Sequence, residues 1–233
     1  MATIKTIGLD ADDTLWHSES HFAVTEERFA ELVKPWIDGQ EAAARLLERE
    51  RANLSLFGYG VKGFTLSMIE TAIEASSGTL GPSAVGQIIG WGKELLAHPV
   101  ELLAGVADTI GQLEGRYRLL LITKGDLFHQ ESKIAESGLA ERFDQVEILS
   151  EKSPDQYRRV LDRCQTRVEE FLMVGNSLRS DVLPVIEIGG RGVHIPYGIT
   201  WGHEKVDCSA MEPTWHQLES ISELPGLVEK LNS

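Results

Sequence analysis

Cysteine is scarce in this chain, with two in 233 residues, Cys164 and Cys208, and they show neither a pairing pattern nor metal-ligand spacing. That excludes a disulfide framework and points to a reducing compartment, so the expected location is cytoplasmic. Long apolar runs are missing as well. None approaches the roughly 20 residues that a membrane helix requires. The first residues enter a strand-like pattern without the organisation of a signal peptide. Positive charge is in short supply, with 22 Lys and Arg against 36 Asp and Glu and a formal net charge of −14. Nucleic acid and anionic membranes both demand clustered cations, so neither is expected as a partner. A small anion in a local basic pocket remains compatible. Internal repeats and low-complexity segments are absent, and the length suits one large domain or a domain with a smaller insert.

What is present has a clear grammar. An apolar run at 4–9 predicts a first strand. The stretch 20–97 then reads as helix throughout: "EERFAELVKPWI", "QEAAARLLERERANL", "FTLSMIETAIEA" and "SAVGQIIGWGKELL" carry apolar residues at three- and four-residue spacing. Gly39, the "GYG" at 58–60 and "SSGTLGPS" at 76–83 separate them. After "HPVELLAGV" strands and helices alternate. Strands are predicted at 119–123, 144–149, 171–174 and 192–195, and helices at 127–137, from Ser153-Pro154 onward, at 180–189 despite Pro184, and at 223–232. Ser153 as N-cap and Pro154 in the first turn make a good helix start. Such alternation implies an α/β fold with a doubly wound parallel sheet, helices on both faces. The helical stretch interrupts it as an inserted all-helical unit.

Ligands of an open parallel sheet bind beyond the carboxyl ends of its strands. Asp10, Asp12, Asp13 and Thr14 follow the first strand; Thr123, Lys124, Gly125 and Asp126 follow the next; Lys152 follows "VEIL"; Gly175, Asn176, Ser177 and Asp181 follow "FLMV". One edge of one sheet thus collects carboxylates, hydroxyls, an amide and a lysine. Carboxylate and amide oxygens suit a hard cation such as Mg2+. A hydroxyl, backbone N–H groups beside a glycine, and an ammonium suit a phosphate. Three carboxylates crowded into 10–13 are tolerable if a cation and Lys152 neutralise part of their charge.

D-x-D-x-T at 10–14, Thr123 after a hydrophobic strand, Lys152 before a helix, and G-x-S-x-x-x-D at 175–181 occur in that order, each after a strand. Together they resemble the haloacid dehalogenase superfamily, and the pattern resembles its phosphatase-type hydrolases with a C1-type helical cap. The resemblance implies a Rossmann-like core of residues 1–16 and 98–233 and a cap of residues 17–97 that closes over a small phosphorylated metabolite. It implies that Asp10 is the nucleophile and that Asp12 is the general acid and base. Thr123 and Lys152 would hold phosphoryl oxygens, helped by backbone N–H groups near Lys124 and Gly125. Asp10, the Asp12 carbonyl, Asn176 and Asp181 would hold Mg2+. True dehalogenases of the family have no carboxylate at the position of Asp12, because a departing halide needs no proton.

Two positions depart from the pattern. Asp13 stands where the family often has Gly and is expected to make local turn hydrogen bonds. Asn176 stands where Asp is more usual and removes a negative charge from the metal set. Two other readings stay open, a phosphomutase with a sugar as acceptor and a phosphate- or metal-binding module without turnover. Phe57, Tyr59 and Lys62, in "LFGYGVKGFT", are candidates for specificity, and His17 for substrate contact. His194 and His203, near Trp201, are expected to be structural, Ser177 to shape its loop, and Cys164 to pack in the core. Arg179 fits either a solvated charge or a partner to a metal-bound group.

Overall fold

The structure is a computed structural model that describes residues 2–207 and 213–233, so Cys208 lies outside the described residues. In chain order, β1 (Thr6–Leu9) leads into α1 (Glu19–Val33), α2 (Gly39–Phe57), α3 (Val61–Ala75) and α4 (Pro82–Leu96). Then come α5 (Val106–Leu113), β2 (Arg118–Lys124), α6 (Leu127–Glu136), β3 (Gln145–Leu149), α7 (Pro154–Arg163) and β4 (Phe171–Gly175). A single π-helical turn at Leu178–Val182 runs into α8 (Leu183–Glu187), followed by β5 (Arg191–His194), β6 (His216–Gln217) and α9 (Leu224–Asn232). The chain forms two compact units, one drawn from Met1–His17, Val100–Lys124 and Gln130–Ser233, the other from Ser18–Pro99 and Gly125–His129.

The first unit holds the sheet, in the order β3-β2-β1-β4-β5-β6. Every neighbouring pair is parallel. Alternate residues of the central strands go to opposite faces, as a period of two dictates. Ile7, Leu9, Leu119, Leu121, Leu172 and Val174 pack with α5 and α9 through Val106, Ile110, Leu113, Leu224 and Val228. Leu120, Ile122, Phe171 and Met173 pack with α7 through Tyr157, Val160 and Leu161. Burial on both faces explains why β4 reads as a continuous apolar run. Register pairs Leu9 with both Leu121 and Val174, so the residues after β1, β2 and β4 emerge together. β1 is also where the strand order turns from one direction to the other, the switch point at which open sheets bind ligands.

The elements depart from the sequence expectation in several places. α5 was not among the expected elements; Val106, Ile110 and Leu113, at four- and three-residue spacing, form it by burying one face. β6 is two residues long and carries no pattern. β5 lies one residue earlier than expected. The expected helix over 180–189 is present as Leu178–Val182 and Leu183–Glu187, its first turn π-helical rather than α-helical. Pro184 has no N–H to continue the ladder, and the carbonyl of Ser180 accepts the Tyr157 hydroxyl at 3.0 Å. Ser153 does cap α7, its side chain accepting from the backbone N–H of Gln156.

The second unit contains α1 to α4 around Phe29, Val33, Leu46, Phe64, Met68 and Ile88. Asp38 caps α2 by accepting from Glu41 N at 2.9 Å. Gly92 lets α4 approach α3, since a Cβ there would stand 2.3 Å from Thr65 Oγ1. Lys62, a specificity candidate, ion-pairs with Asp126 at 2.9 Å. Among the described residues, no helix is long and apolar enough to cross a membrane.

Gly8 lies in β1 beneath Phe171, and an added Cβ would fall 2.7 Å from the ring and 2.9 Å from Met173 Sδ. Gly8→Ala is expected to overpack this layer and lower stability by about 1–3 kcal/mol. Urea unfolding should show a lower midpoint with an unchanged slope.

Candidate active site

Lys152 is the pivot of the site. It follows β3, just ahead of the Ser153 cap, and its ammonium is buried between two carboxylates. Nζ donates to Asp10 Oδ1 at 2.5 Å and to Asp181 Oδ1 at 2.6 Å. Asp10 reaches this point because its backbone N–H continues the sheet, donating to Val174 O at 2.9 Å. Its other oxygen accepts from the Thr14 hydroxyl at 3.0 Å. Asp181 is set by the π-turn, and its Oδ2 accepts from Ser177 N at 3.0 Å. Gly175 is required beneath it, because a Cβ there would overlap the carboxylate at 2.2 Å. Two acids share one ammonium, so charge is only partly balanced. Burial, and then the charge of Asp181, push Asp10 up to about 7, against the pull of Lys152. Burial acts to lower Lys152, but Asp10 and Asp181 outweigh it and hold the ammonium protonated above its usual range.

Asp12 lies in a different environment. Its side chain is 29% exposed, yet both oxygens are held. Trp16 Nε1 donates to Oδ1 at 2.7 Å. Lys133 Nζ contacts both oxygens, at 2.6 and 2.8 Å. Gln130 Nε2 donates to Oδ2 at 3.1 Å. Burial acts to raise this carboxyl, but the Lys133 charge and these hydrogen bonds together hold it below the ordinary value. The turn carrying both acids depends on Asp13, which is buried and adopts φ 62°, a left-handed conformation that Asp tolerates. Its backbone N–H donates to Trp16 O at 2.7 Å.

Thr123 is buried beside this pair, its hydroxyl 2.7 Å from Gln130 Nε2. The side chain of Lys124 does not join it. Lys124 Nζ donates to Ser180 Oγ at 2.8 Å and to Glu204 Oε1 at 2.6 Å. Glu204 Oε2 accepts from the hydroxyls of Ser177 at 2.5 Å and Ser180 at 2.6 Å. Burial works against this carboxylate, but Lys124 and the two serines hold it down at about 2. Asn176 donates its backbone N–H to Thr14 Oγ1 at 3.0 Å, and its carbonyl oxygen is 3.0 Å from His194 Nε2. His194 therefore supports the loop, and burial lowers its proton affinity. His17 Nδ1 lies 2.6 Å from the Tyr197 hydroxyl. Cys164 is buried at the end of α7, with Sγ 3.2 Å from Gln145 Oε1.

The side chains of Asp10, Lys152 and Asp181 thus meet directly, and Thr14 joins Asp10 to Asn176. The sequence reading missed Trp16, Gln130, Lys133, Ser180 and Glu204. Gln130 and Lys133 lie one turn apart on α6, a spacing visible in the sequence. Glu204 lies in a loop with no periodicity to mark it.

The donor chemistry fits Mg2+. Among the described residues no three His, Cys, Asp or Glu side chains form a metal-binding group. The set that the motif resemblance implies would be two carboxylates, Asp10 and Asp181, with the neutral oxygens of Asn176 and the Asp12 carbonyl. An all-oxygen set with few protein ligands suits Mg2+, which keeps several waters, better than Zn2+. Burial first, and then the charge of Asp181, raise Asp10 against the pull of Lys152; a bound cation would favour the ionised form.

Comparison with known proteins defines the class. The family model for haloacid dehalogenase-like hydrolases matches residues 4–189, and the chain belongs to this family. A solved haloacid dehalogenase-like hydrolase from Xanthomonas campestris is 43% identical, with a TM-score of 0.88 over 99% of this chain and 92% of that one. The HAD-hydrolase YfnB of Bacillus subtilis, solved with magnesium, has a TM-score of 0.70 at 16% identity, over 97% of this chain and 99% of that one. A predicted phosphoglycolate phosphatase from Haemophilus somnus has a TM-score of 0.68 at 17% identity, with coverage of 97% and 99%. Structures described as 2-haloacid dehalogenases resemble the chain to a similar degree. No curated protein matches it.

Glu204 yields a pH prediction. Its proton affinity falls on folding, from 4.5 to about 2, so it contributes stability above about pH 4.5 that is lost as pH falls toward 2. Glu204→Gln is expected to cost on the order of 3 kcal/mol at pH 7 and much less near pH 3. Urea unfolding of both proteins at the two pH values checks this.

Proposed function

We propose that this hydrolase is a Mg2+-dependent phosphatase acting on a small phosphorylated metabolite. The observation that carries the reading is Asp12, a second carboxylate two residues from the nucleophile and held by three side chains. Such a group has work to do only if the leaving group needs a proton, as an alkoxide does and a halide does not.

The chemistry follows in two steps. An oxygen of Asp10 attacks phosphorus, and the bond to the ester oxygen breaks with its electron pair on that oxygen. Asp12 gives this oxygen its proton, releasing the alcohol and leaving an aspartyl phosphate. Water then attacks phosphorus and gives a proton to the Asp12 carboxylate. The bond between phosphorus and Asp10 breaks, releasing phosphate and the free carboxylate. Arrival of an anionic substrate beside Asp12 raises its affinity for the proton that the first step uses. Lys152 and the Thr123 hydroxyl hold the phosphoryl oxygens, with backbone N–H groups near Lys124 and Gly125. Mg2+ held by Asp10, Asp181, Asn176 and the Asp12 carbonyl would add positive charge there. Because the side chain of Lys124 is committed to Glu204, its contribution is through the backbone.

Phosphate release from a panel of phosphorylated metabolites is expected with Mg2+, to vanish with chelator, and to fall at least about a thousandfold in Asp10→Asn. Full activity in that variant overturns the mechanism. The substitution of Asn for a carboxylate at Asn176 favours a second reading, a phosphate- and metal-binding module. Thermal stabilisation by Mg2+ and phosphate without any turnover would support it.

Metal binding should also be linked to protons. Without metal, folded Asp10 keeps its proton up to about 7 rather than its ordinary 3.8. The stability that this gives is present at low pH and lost as pH rises through 7. A cation needs the ionised form. The rise in Tm at a fixed Mg2+ concentration should therefore grow between about pH 5.5 and 8, and calorimetry should record proton release on binding in the lower half of that range.

A further inference from the structure

We propose that Lys133 is a positioning residue that aims the Asp12 carboxylate at the leaving-group oxygen, with Gln130 joining that aim to the phosphate-holding Thr123. The inference rests on the phosphatase reading and adds to it the residues that orient the acid and base. Asp12 sits on a short turn and its side chain is partly open to solvent, so the turn by itself leaves the carboxylate free to rotate. Lys133 removes that freedom. Its ammonium meets both carboxylate oxygens, at 2.6 and 2.8 Å, from a helix 121 residues away in sequence. The lysine is only 13% exposed, unlike the pairs at the surface, which are free to exchange partners with water.

Gln130, one turn earlier on α6, serves the other side. Its amide nitrogen lies 3.1 Å from Asp12 Oδ2, 2.7 Å from Thr123 Oγ1 and 3.0 Å from Lys124 O. One amide thereby spaces the acid/base carboxylate from the hydroxyl and the backbone that would hold the phosphate. Trp16 Nε1 completes the set on Oδ1 at 2.7 Å. Lys133 and Trp16 carry donors only, and Gln130 meets the carboxylate through its amide N–H, so Asp12 is fixed in direction by groups that donate to it. A proton placed about an ångström off line is a large loss in catalysis, and that makes the aim of Asp12 a property the enzyme has to hold.

The test reads leaving-group dependence. kcat/KM reports the step in which the ester bond breaks. An alkyl phosphate needs its leaving oxygen protonated in that step, whereas p-nitrophenyl phosphate departs as a stable phenolate. Lys133→Met is expected to lower kcat/KM for a simple alkyl phosphate by about a hundredfold or more, and for p-nitrophenyl phosphate by far less. Asp12→Asn should show the same bias, and Lys133→Arg, which keeps a cationic donor, should recover most of the alkyl rate. If Lys133→Met unfolds, Lys133→Gln is read in the same way. An equal fall for both esters, or no fall for either, overturns the role of Lys133 while leaving the phosphatase reading in place. No release from either ester by the unmodified enzyme with Mg2+ removes that reading, and this inference with it.

Discussion

One ammonium held between two buried carboxylates sets the terms for the first unit. Removing Lys152, Asp10 and Asp181 from water costs several kcal/mol per ion, which their attraction offsets only if the geometry is good and the remaining oxygens find donors. The fold supplies those conditions. β1 carries Asp10 into the site, and the sheet ladder continues through its backbone N–H. The segment after β3 places Lys152 immediately before the first turn of α7. The π-turn after β4 turns Asp181 back over Gly175. Thr14 and Ser177 then satisfy the second oxygen of each acid.

A second contrast lies between the two acids of the first turn. Asp10 and Asp12 are two positions apart, yet their surroundings act in opposite directions. Burial and a like charge raise Asp10, and a private lysine holds Asp12 down. Sites that divide one chemistry between two carboxyl groups commonly separate them in this way. On the proposed phosphatase reading, the separation suits an acid whose oxygen has to meet phosphorus and a neighbour that exchanges protons with the leaving group and with water. Glu204 adds a third tie. It joins the end of β2 to the π-turn and its cap through Lys124, Ser177 and Ser180, so these parts of the sheet edge form one hydrogen-bonded set.

Much of this was legible in advance. Asp10, Thr123, Lys152 and Asp181 each follow an apolar run that reads as a strand, and parallel strands deliver the residues that follow them to one edge. Long helices and buried strands announced themselves through period and apolar content. β6 did not, because two residues are too short for a period to show, and α5 went unread although Val106, Ile110 and Leu113 fall at helical spacing. The helix expected across Pro184 formed, with its first turn widened to a π-turn where the missing N–H and the Tyr157 hydroxyl both act. Lys124 was placed correctly at the edge, but the direction of its side chain depended on Glu204, 80 residues further on.

The sequence by itself determined the parallel sheet, the residue types gathered at its edge, and membership of the haloacid dehalogenase-like hydrolases. Those properties follow from local pattern and from motif order. Only the tertiary structure decided which cation serves which acid. Lys152 meets Asp10 across 142 residues, and Lys133 meets Asp12 across 121. Helical spacing shows that Gln130 and Lys133 share a face, but what that face meets depends on how α6 packs on the sheet. The charge on a side chain is local, whereas the partner that balances it is chosen by the three-dimensional approach of distant segments.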